Sequence, residues 1–309
     1  MEDNYVVILG PTASGKTALS IQLAKQTNGE IISADSMLIY KGMDIGTAKP
    51  TIEEREGIPH HLIDIIEPDE EFSVYDYQIL SQKTIKEIKK RGKLPIVVGG
   101  TGLYIRALTE DFTLNQIPQD ETVRRRYYEI MKSKGKEYLH SLLKDKDPLA
   151  YEKLHPNDYK RVIRALEVYE LSGKSIYNLQ EKKHTNNNIL YIGLTMDREL
   201  LYKRVNDRVD VMLKEGLVDE VRALLAKGIS KEANSMKGIG YKQVIDYLEG
   251  RLDYDKMVEI LKRDTRRYAK RQLTWFRGME GILWLDITKE KREDIIIKIL
   301  EMMKEKDIF

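Results

Sequence analysis

Short apolar runs rich in β-branched residues recur along the chain. Tyr5–Leu9, Glu30–Ala34, Leu94–Val98, Ile189–Leu194 and Ile282–Asp286 are each too short for a buried helix and read as strands, and Ile63–Ile66 is a further short candidate. Between them the apolar spacing switches to three and four. Ala18–Gln26 carries Leu19 and Leu23 on one face, and Tyr75–Arg91 carries Ile79, Leu80, Ile85 and Ile88 before Gly92 stops it. Alternation of strand and helix predicts an α/β fold, a parallel sheet with right-handed crossovers and helices on its faces. Ligands of such sheets collect at the carboxyl ends of the strands.

Around Asn115 the pattern changes. Helical spacing alone fills Glu121–Ser133, Lys136–Lys144, Pro148–Leu154, Pro156–Ser172 and Ser175–Gln180, with Asp147-Pro148 and His155-Pro156 as starts and Gly135 and Gly173 as stops. A polar stretch, Lys182–Asn188, precedes the return to the sheet at Ile189. Residues 115–184 are therefore expected to form an all-helical insertion in an α/β core made of 1–114 and 185–309. Long helices are expected at Arg198–Glu215, Leu217–Lys227, Tyr241–Glu249 and Tyr254–Arg277, with a closing helix after the last strand.

Composition narrows the classes. Of 309 residues, 41% are hydrophobic and 33% charged, enough for a core and for solubility, and no run approaches the length of a membrane span. The absence of cysteine excludes disulfides and cysteine-based zinc sites, and the five histidines lack the spacing of a zinc hydrolase. A strand that begins at Tyr5 leaves no room for a signal peptide, so a cytoplasmic protein is expected. The net charge of +2 hides an asymmetry: 1–114 carries −5, 115–184 carries +4 and 185–309 carries +3. Lys262–Arg277 alone holds seven basic residues and one acidic one. Basic helices beside an acidic α/β half suit a polyanionic partner, although solvated helix faces would give the same count.

The chemistry begins at the first strand. Gly10, Pro11, Thr12, Ala13, Ser14, Gly15, Lys16 and Thr17 follow it and open a helix, which is the strand–turn–helix setting of a phosphate-binding loop. Backbone N–H groups there converge on oxyanions at the positive end of the helix. Lys16 would reach the terminal phosphate, and the Thr17 hydroxyl would help to hold Mg2+. A motor ATPase would also end a strand in Asp or Asp-Glu, whereas Leu94–Val98 delivers Gly99-Gly100-Thr101-Gly102. The acid follows the other strand, as Asp35. A carboxylate and a hydroxyl facing a phosphate loop suit transfer to an acceptor molecule. Taken singly, Asp35 also reads as a helix cap or magnesium ligand, and Thr101 as a turn residue.

GPTASGKT (10–17), ADSMLIYKGMDIGTAKP (34–50), PHHLID (59–64), VVGGTGLY (97–104), HPNDYKRVIRALEVYELSGK (155–174), GLVDEV (216–221), GIGYKQ (238–243) and AKRQLTWFR (269–277) occur in that order. Together they resemble the tRNA dimethylallyltransferases, also called isopentenyl-tRNA transferases, over essentially the whole chain. The resemblance implies a P-loop-like core and transfer of a dimethylallyl group from dimethylallyl diphosphate to N6 of the adenosine 3′ of the anticodon, position 37, with Mg2+ assisting. The phosphate loop would then grip a leaving diphosphate. Asp35 would accept the N6 hydrogen, Thr101 would contact the oxygen that leaves carbon, and Arg208 would clamp the diphosphate.

By the same resemblance the anticodon stem-loop of tRNA would lie against Asp35, Ser36, Met37, Leu38, Thr101, Arg124, Lys160, Arg161, Val162, Ile163, Arg164, Lys237, Gly240 and Tyr241. Leu38 departs from the family's commoner Gln, and the absence of a Cys/His finger makes the chain bacterial in type. A monomer is expected. His60 and His61 fall in a family motif, but no chemistry calls for them. A small-molecule kinase and a non-catalytic RNA-binding P-loop protein are the other classes that a phosphate loop allows. The first fits poorly with Gly99–Gly102 and the basic insertion, and the second leaves Asp35, Thr101 and Arg208 without a task.

Overall fold

The computed structural model describes residues 4–110, 117, 119–178 and 188–308. In chain order the elements are β1 (Tyr5–Leu9), α1 (Lys16–Thr27), β2 (Gly29–Ser33), β3 (His60–His61), α2 (Val74–Lys90), β4 (Leu94–Gly99), α3 (Gly102–Thr109), α4 (Glu121–Ser141), α5 (Leu143–Lys146), α6 (Pro148–Lys153), α7 (Tyr159–Ser172), β5 (Ile189–Thr195), α8 (Arg198–Lys214), α9 (Leu217–Ala226), α10 (Tyr241–Leu248), α11 (Tyr254–Arg277), β6 (Ile282–Asp286) and α12 (Arg292–Glu305). They divide into two compact units, Met1–Thr109 with Asn186–Phe309, and Glu110–Thr185. The expected boundaries at 115 and 184, and nearly all of the polar stretch 182–188, lie outside the described residues.

The first unit is the expected parallel α/β fold. Six strands lie in the order β3-β2-β4-β1-β5-β6, all parallel. Val6, Val7, Ile8 and Leu9 are completely buried because β1 is central and covered on both faces. Burial of each such side chain stabilises the fold by about 1.5–3 kcal/mol. Val6 and Ile8 pack with α1 and α12, whereas Val7 and Leu9 pack with α2, α3 and Phe276 of α11. A third cluster joins Ile39, Tyr40 and Met43, from the segment after β2, to α8, α9, α10 and α11.

One sheet expectation changes. The short strand is His60–His61, and Ile66 makes only an isolated bridge to Tyr40. His61 is tied down by Glu30, whose buried carboxylate also takes Arg91 and Lys93. Burial pushes Glu30 up, but the hydrogen bonds from Arg91, His61 and Lys93 outweigh it and hold the carboxyl at about 2. These histidines serve the architecture of the sheet edge; His60 donates from Nδ1 to the Ile58 carbonyl.

The second unit is helical. Its core joins Val123 and Tyr127 of α4 to Leu143, Ala150, Val162, Ile163 and Leu166. Gly135, non-helical at φ 85°, divides α4 into the two helices expected on either side of it. Asp147 caps α6 from the Ala150 N–H, with Pro148 in the first turn. His155-Pro156 starts no helix: α7 begins at Tyr159 and ends at Gly173. Ser175–Asn178 is a turn, and the rest of that expected helix lies outside the described residues. Among the described residues no helix is long and apolar enough to cross a membrane.

Candidate active site

The carboxyl ends of β1, β2 and β4 open into a cavity of about 410 Å³ inside the α/β unit. Thr12, Lys16 and Thr17 line it from the phosphate loop, and Asp35, Ser36, Met37 and Leu38 from the segment after β2. Gly99 and Gly100 line it after β4, Arg208 comes from α8, and Tyr268, Arg271 and Gln272 come from α11. Gly46, Thr47, Ala48 and Pro50 form another wall with Lys237, Gly240 and Tyr241.

The loop folds as its glycines require. Gly15 takes φ 78° and turns the chain into α1, whose first N–H groups lack intrahelical partners. Lys16 bends back, donating from Nζ to the Gly10 carbonyl at 3.0 Å and the Pro11 carbonyl at 2.7 Å. Burial, and then the charge of Arg208, push the Lys16 ammonium down to about 7 against the pull of Asp35. Arg208 is half-buried, and desolvation lowers it against the attraction of Asp35 and Glu54. Its one hydrogen bond in the described residues reaches the Thr47 carbonyl at 3.5 Å. Two half-buried cations sharing so little counter-charge make a site for an anion with several charges. Ser14 Oγ, fully buried in the same loop, has no partner among the described residues.

The segments after β2 and β4 are stitched together. Thr101 donates its N–H to the Ala34 carbonyl at 3.1 Å, and its Oγ1 accepts from the Ser36 N–H at 3.0 Å. Asp35 Oδ1 accepts from the Met37 N–H at 2.9 Å. Thr101 is half-buried, and its hydroxyl lies against Ser36, which lines the cavity. The phosphate loop, Asp35 and Arg208 are thus brought together, with Thr101 one hydrogen bond away.

Several residues expected at the RNA have other tasks. Val162 and Ile163 are buried in the core of the helical unit. Arg124 and Arg164 both bind the buried Glu167, and Arg164 also donates to the Ile117 carbonyl. Their spacing is that of an internal ion cluster. Lys160 and Arg161 are exposed on α7. Tyr241 is wholly buried and gives its hydroxyl to Glu220, so it builds the wall.

Sequence reasoning missed three residues. Glu220 of α9 accepts the N–H groups of Asp44, Ile45 and Gly46 at 2.7–3.0 Å, as well as the Tyr241 hydroxyl. Gln272 bridges Thr12 and Gly100. Tyr268 is a half-buried phenol on the cavity lining, and desolvation raises its pKa. The available signal was a polar residue at an inward position of an amphipathic helix, which Gln272 occupies on α11.

A cavity with cationic walls above a phosphate loop is a setting shared by several enzyme classes, and the comparisons separate them. The family model for IPP transferases matches residues 38–279. The chain belongs to the IPP transferase family. Among its relatives, the tRNA dimethylallyltransferase of Acetivibrio thermocellus is 54% identical, covering 97% of this chain and 96% of that protein. The tRNA dimethylallyltransferase of Carboxydothermus hydrogenoformans is 51% identical, covering 97% of each. Among solved structures, the tRNA isopentenylpyrophosphate transferase of Bacillus halodurans superposes with a TM-score of 0.75 at 47% identity, over 99% of this chain and 97% of that one. A eukaryotic dimethylallyltransferase acting on tRNA gives a TM-score of 0.77 at 35% identity, over 91% of this chain and 73% of that one. In this IPP transferase the expected P-loop-like core is therefore the family's own.

Proposed function

We infer that the chain is a tRNA dimethylallyltransferase. It moves a dimethylallyl group from dimethylallyl diphosphate to N6 of adenosine 37, beside the anticodon, and yields N6-(dimethylallyl)adenosine and diphosphate. The observation that carries this reading is the pair of half-buried cations, Lys16 and Arg208, facing the Asp35 carboxylate in one cavity.

The chemistry follows from charge. As the allylic C1–O bond breaks, its electron pair leaves with the diphosphate. Lys16, Arg208 and the first amides of α1 stabilise the charge that builds there. The lone pair of N6 is delocalised into the adenine ring, so the amine is a weak nucleophile. Asp35 accepts its proton as the new C–N bond forms. Thr101, held by the Ser36 N–H, sits next to Asp35 and orients the oxygen that departs.

The residues fit a Mg2+ ion carried in with the diphosphate. Thr17 offers an exposed hydroxyl and Asp35 a carboxylate, and no cluster of three acidic, His or Cys side chains exists among the described residues. Such an ion takes most of its ligands from phosphate oxygens and water. When bound, it would add positive charge against the leaving group.

The α/β unit is the catalytic domain, and the helical unit receives the anticodon stem-loop through exposed cations such as Lys160 and Arg161. The target base leaves its stack to enter the cavity, a small cost in a single-stranded loop. The enzyme acts as a cytoplasmic monomer. The test is mass analysis of an anticodon stem-loop after incubation with donor, Mg2+ and protein, which should show one added C5H8 unit. Asp35→Ala should retain RNA binding while turnover falls by about 10²-fold or more. Consumption of ATP with no reaction of the prenyl donor would place the chain among the kinases instead.

A further inference from the structure

Gln272 lies on α11 with 6% of its surface exposed, among the inward residues Leu261, Ala269 and Phe276. A buried amide is tolerated when both of its ends are used, and here both are. Oε1 accepts the Thr12 N–H at 2.9 Å, and Nε2 donates to the Gly100 carbonyl at 3.0 Å. Thr12 and Gly100 follow β1 and β4, which are neighbours in the sheet, and both line the cavity.

The fit is close. A Cβ at position 100 would stand 2.2 Å from Nε2, so only glycine leaves room for the bridge. Because Gln272 takes the Thr12 N–H, the phosphate cradle begins one residue later, at Ala13. Thr12 also follows the two carbonyls that hold Lys16 Nζ. One turn earlier on α11, Tyr268 lines the same cavity. A single helix thus ties the diphosphate side of the cavity to its hydroxyl side.

We propose that Gln272 is a positioning residue for prenyl transfer, fixing the spacing between the phosphate loop and the Thr101 segment. This deepens the reading above and rests on it. The amide touches no reacting atom. It sets where the leaving diphosphate stands relative to Thr101, and a misplacement of about 1 Å is enough to slow a reaction severely.

Gln272→Met keeps the length of the side chain and removes both hydrogen bonds. Gln272→Glu keeps the acceptor for Thr12 but sets an oxygen against the Gly100 carbonyl, and it covers the case in which the Met variant does not fold. Steady-state kinetics with dimethylallyl diphosphate and an anticodon stem-loop, counted per folded enzyme, should show the donor KM raised about tenfold and kcat lowered about tenfold. The Kd for the stem-loop should stay within about twofold. A bridge that only stabilises the fold would lower Tm and leave donor KM and kcat of the folded fraction unchanged, which overturns the proposal. A parent enzyme that makes no prenylated RNA defeats the proposed function instead, whereas an active parent with unaffected variants defeats only this inference.

Discussion

At the scale of single residues, the site is a place where stability is given up. Lys16 and Arg208 are both half-buried, and the protein supplies them with few counter-charges. Replacing buried ionic groups with apolar side chains of similar volume is often neutral or stabilising by about 1–4 kcal/mol, and a half-buried cation lies toward the neutral end. Arg208→Met should therefore leave the stability of the free enzyme unchanged or raise it by up to about 1 kcal/mol in a melt without ligand. The same change removes a charge-assisted hydrogen bond to diphosphate, so the donor KM should rise about tenfold or more. A variant that lost stability and kept its donor KM would show that Arg208 is a structural ion. Lys16 and Arg208 were legible in the sequence because each sits in a motif with a chemical purpose. Glu220 was not, because the amides that it holds lie 174–176 residues away and carry no side-chain signature.

At the scale of elements, the wall formed by Asp44–Pro50 shows how an irregular segment becomes rigid. Glu220 gathers three consecutive N–H groups, and Lys49, almost fully buried, binds Asp44, Asp64 and the Tyr40 carbonyl. Ala48 is left at φ 48°, strained for a residue with a Cβ, and these tethers hold it there. Gly46 lies against the Tyr241 ring, where a Cβ would approach to 2.6 Å. Gly46→Ala should push that wall off α10, costing about 1–3 kcal/mol of stability. It should also weaken donor binding, because Thr47 carries the carbonyl that holds Arg208. Melting curves with kinetics check both, and an unchanged donor KM would mean that the wall moves without disturbing Arg208. The long periodic helices and the buried strands were legible because burial imposes their periods. The two-residue β3 and the eight-residue α3 were not: β3 is defined by pairing with β2, and α3 by packing under α2 and α11.

At the scale of the whole molecule, the two compact units should fail separately. The helical unit is small, and a small domain buries too little surface to tolerate a large loss. Its centre holds Glu167, fully buried, which binds Arg124 and Arg164 and accepts the Asp120 N–H at 2.7 Å. The sequence presented those arginines as a basic stripe, and net charge could not reveal that an acid on the inward face consumes them. Glu167→Ala leaves two guanidinium groups without their carboxylate, and breaking a buried pair in this way costs about 3–5 kcal/mol. That is a large part of what such a unit has to lose. The α/β unit owes Glu167 nothing, since its own core and phosphate loop lie elsewhere in the chain. Calorimetry of Glu167→Ala should therefore show a separate early transition, with the α/β transition near its original temperature. Binding of inorganic diphosphate should be kept within about twofold, while affinity for the anticodon stem-loop falls by about tenfold or more. Loss of both ligands together would mean that the chain folds as one cooperative body, and the assignment of RNA docking to the helical unit would fail with it.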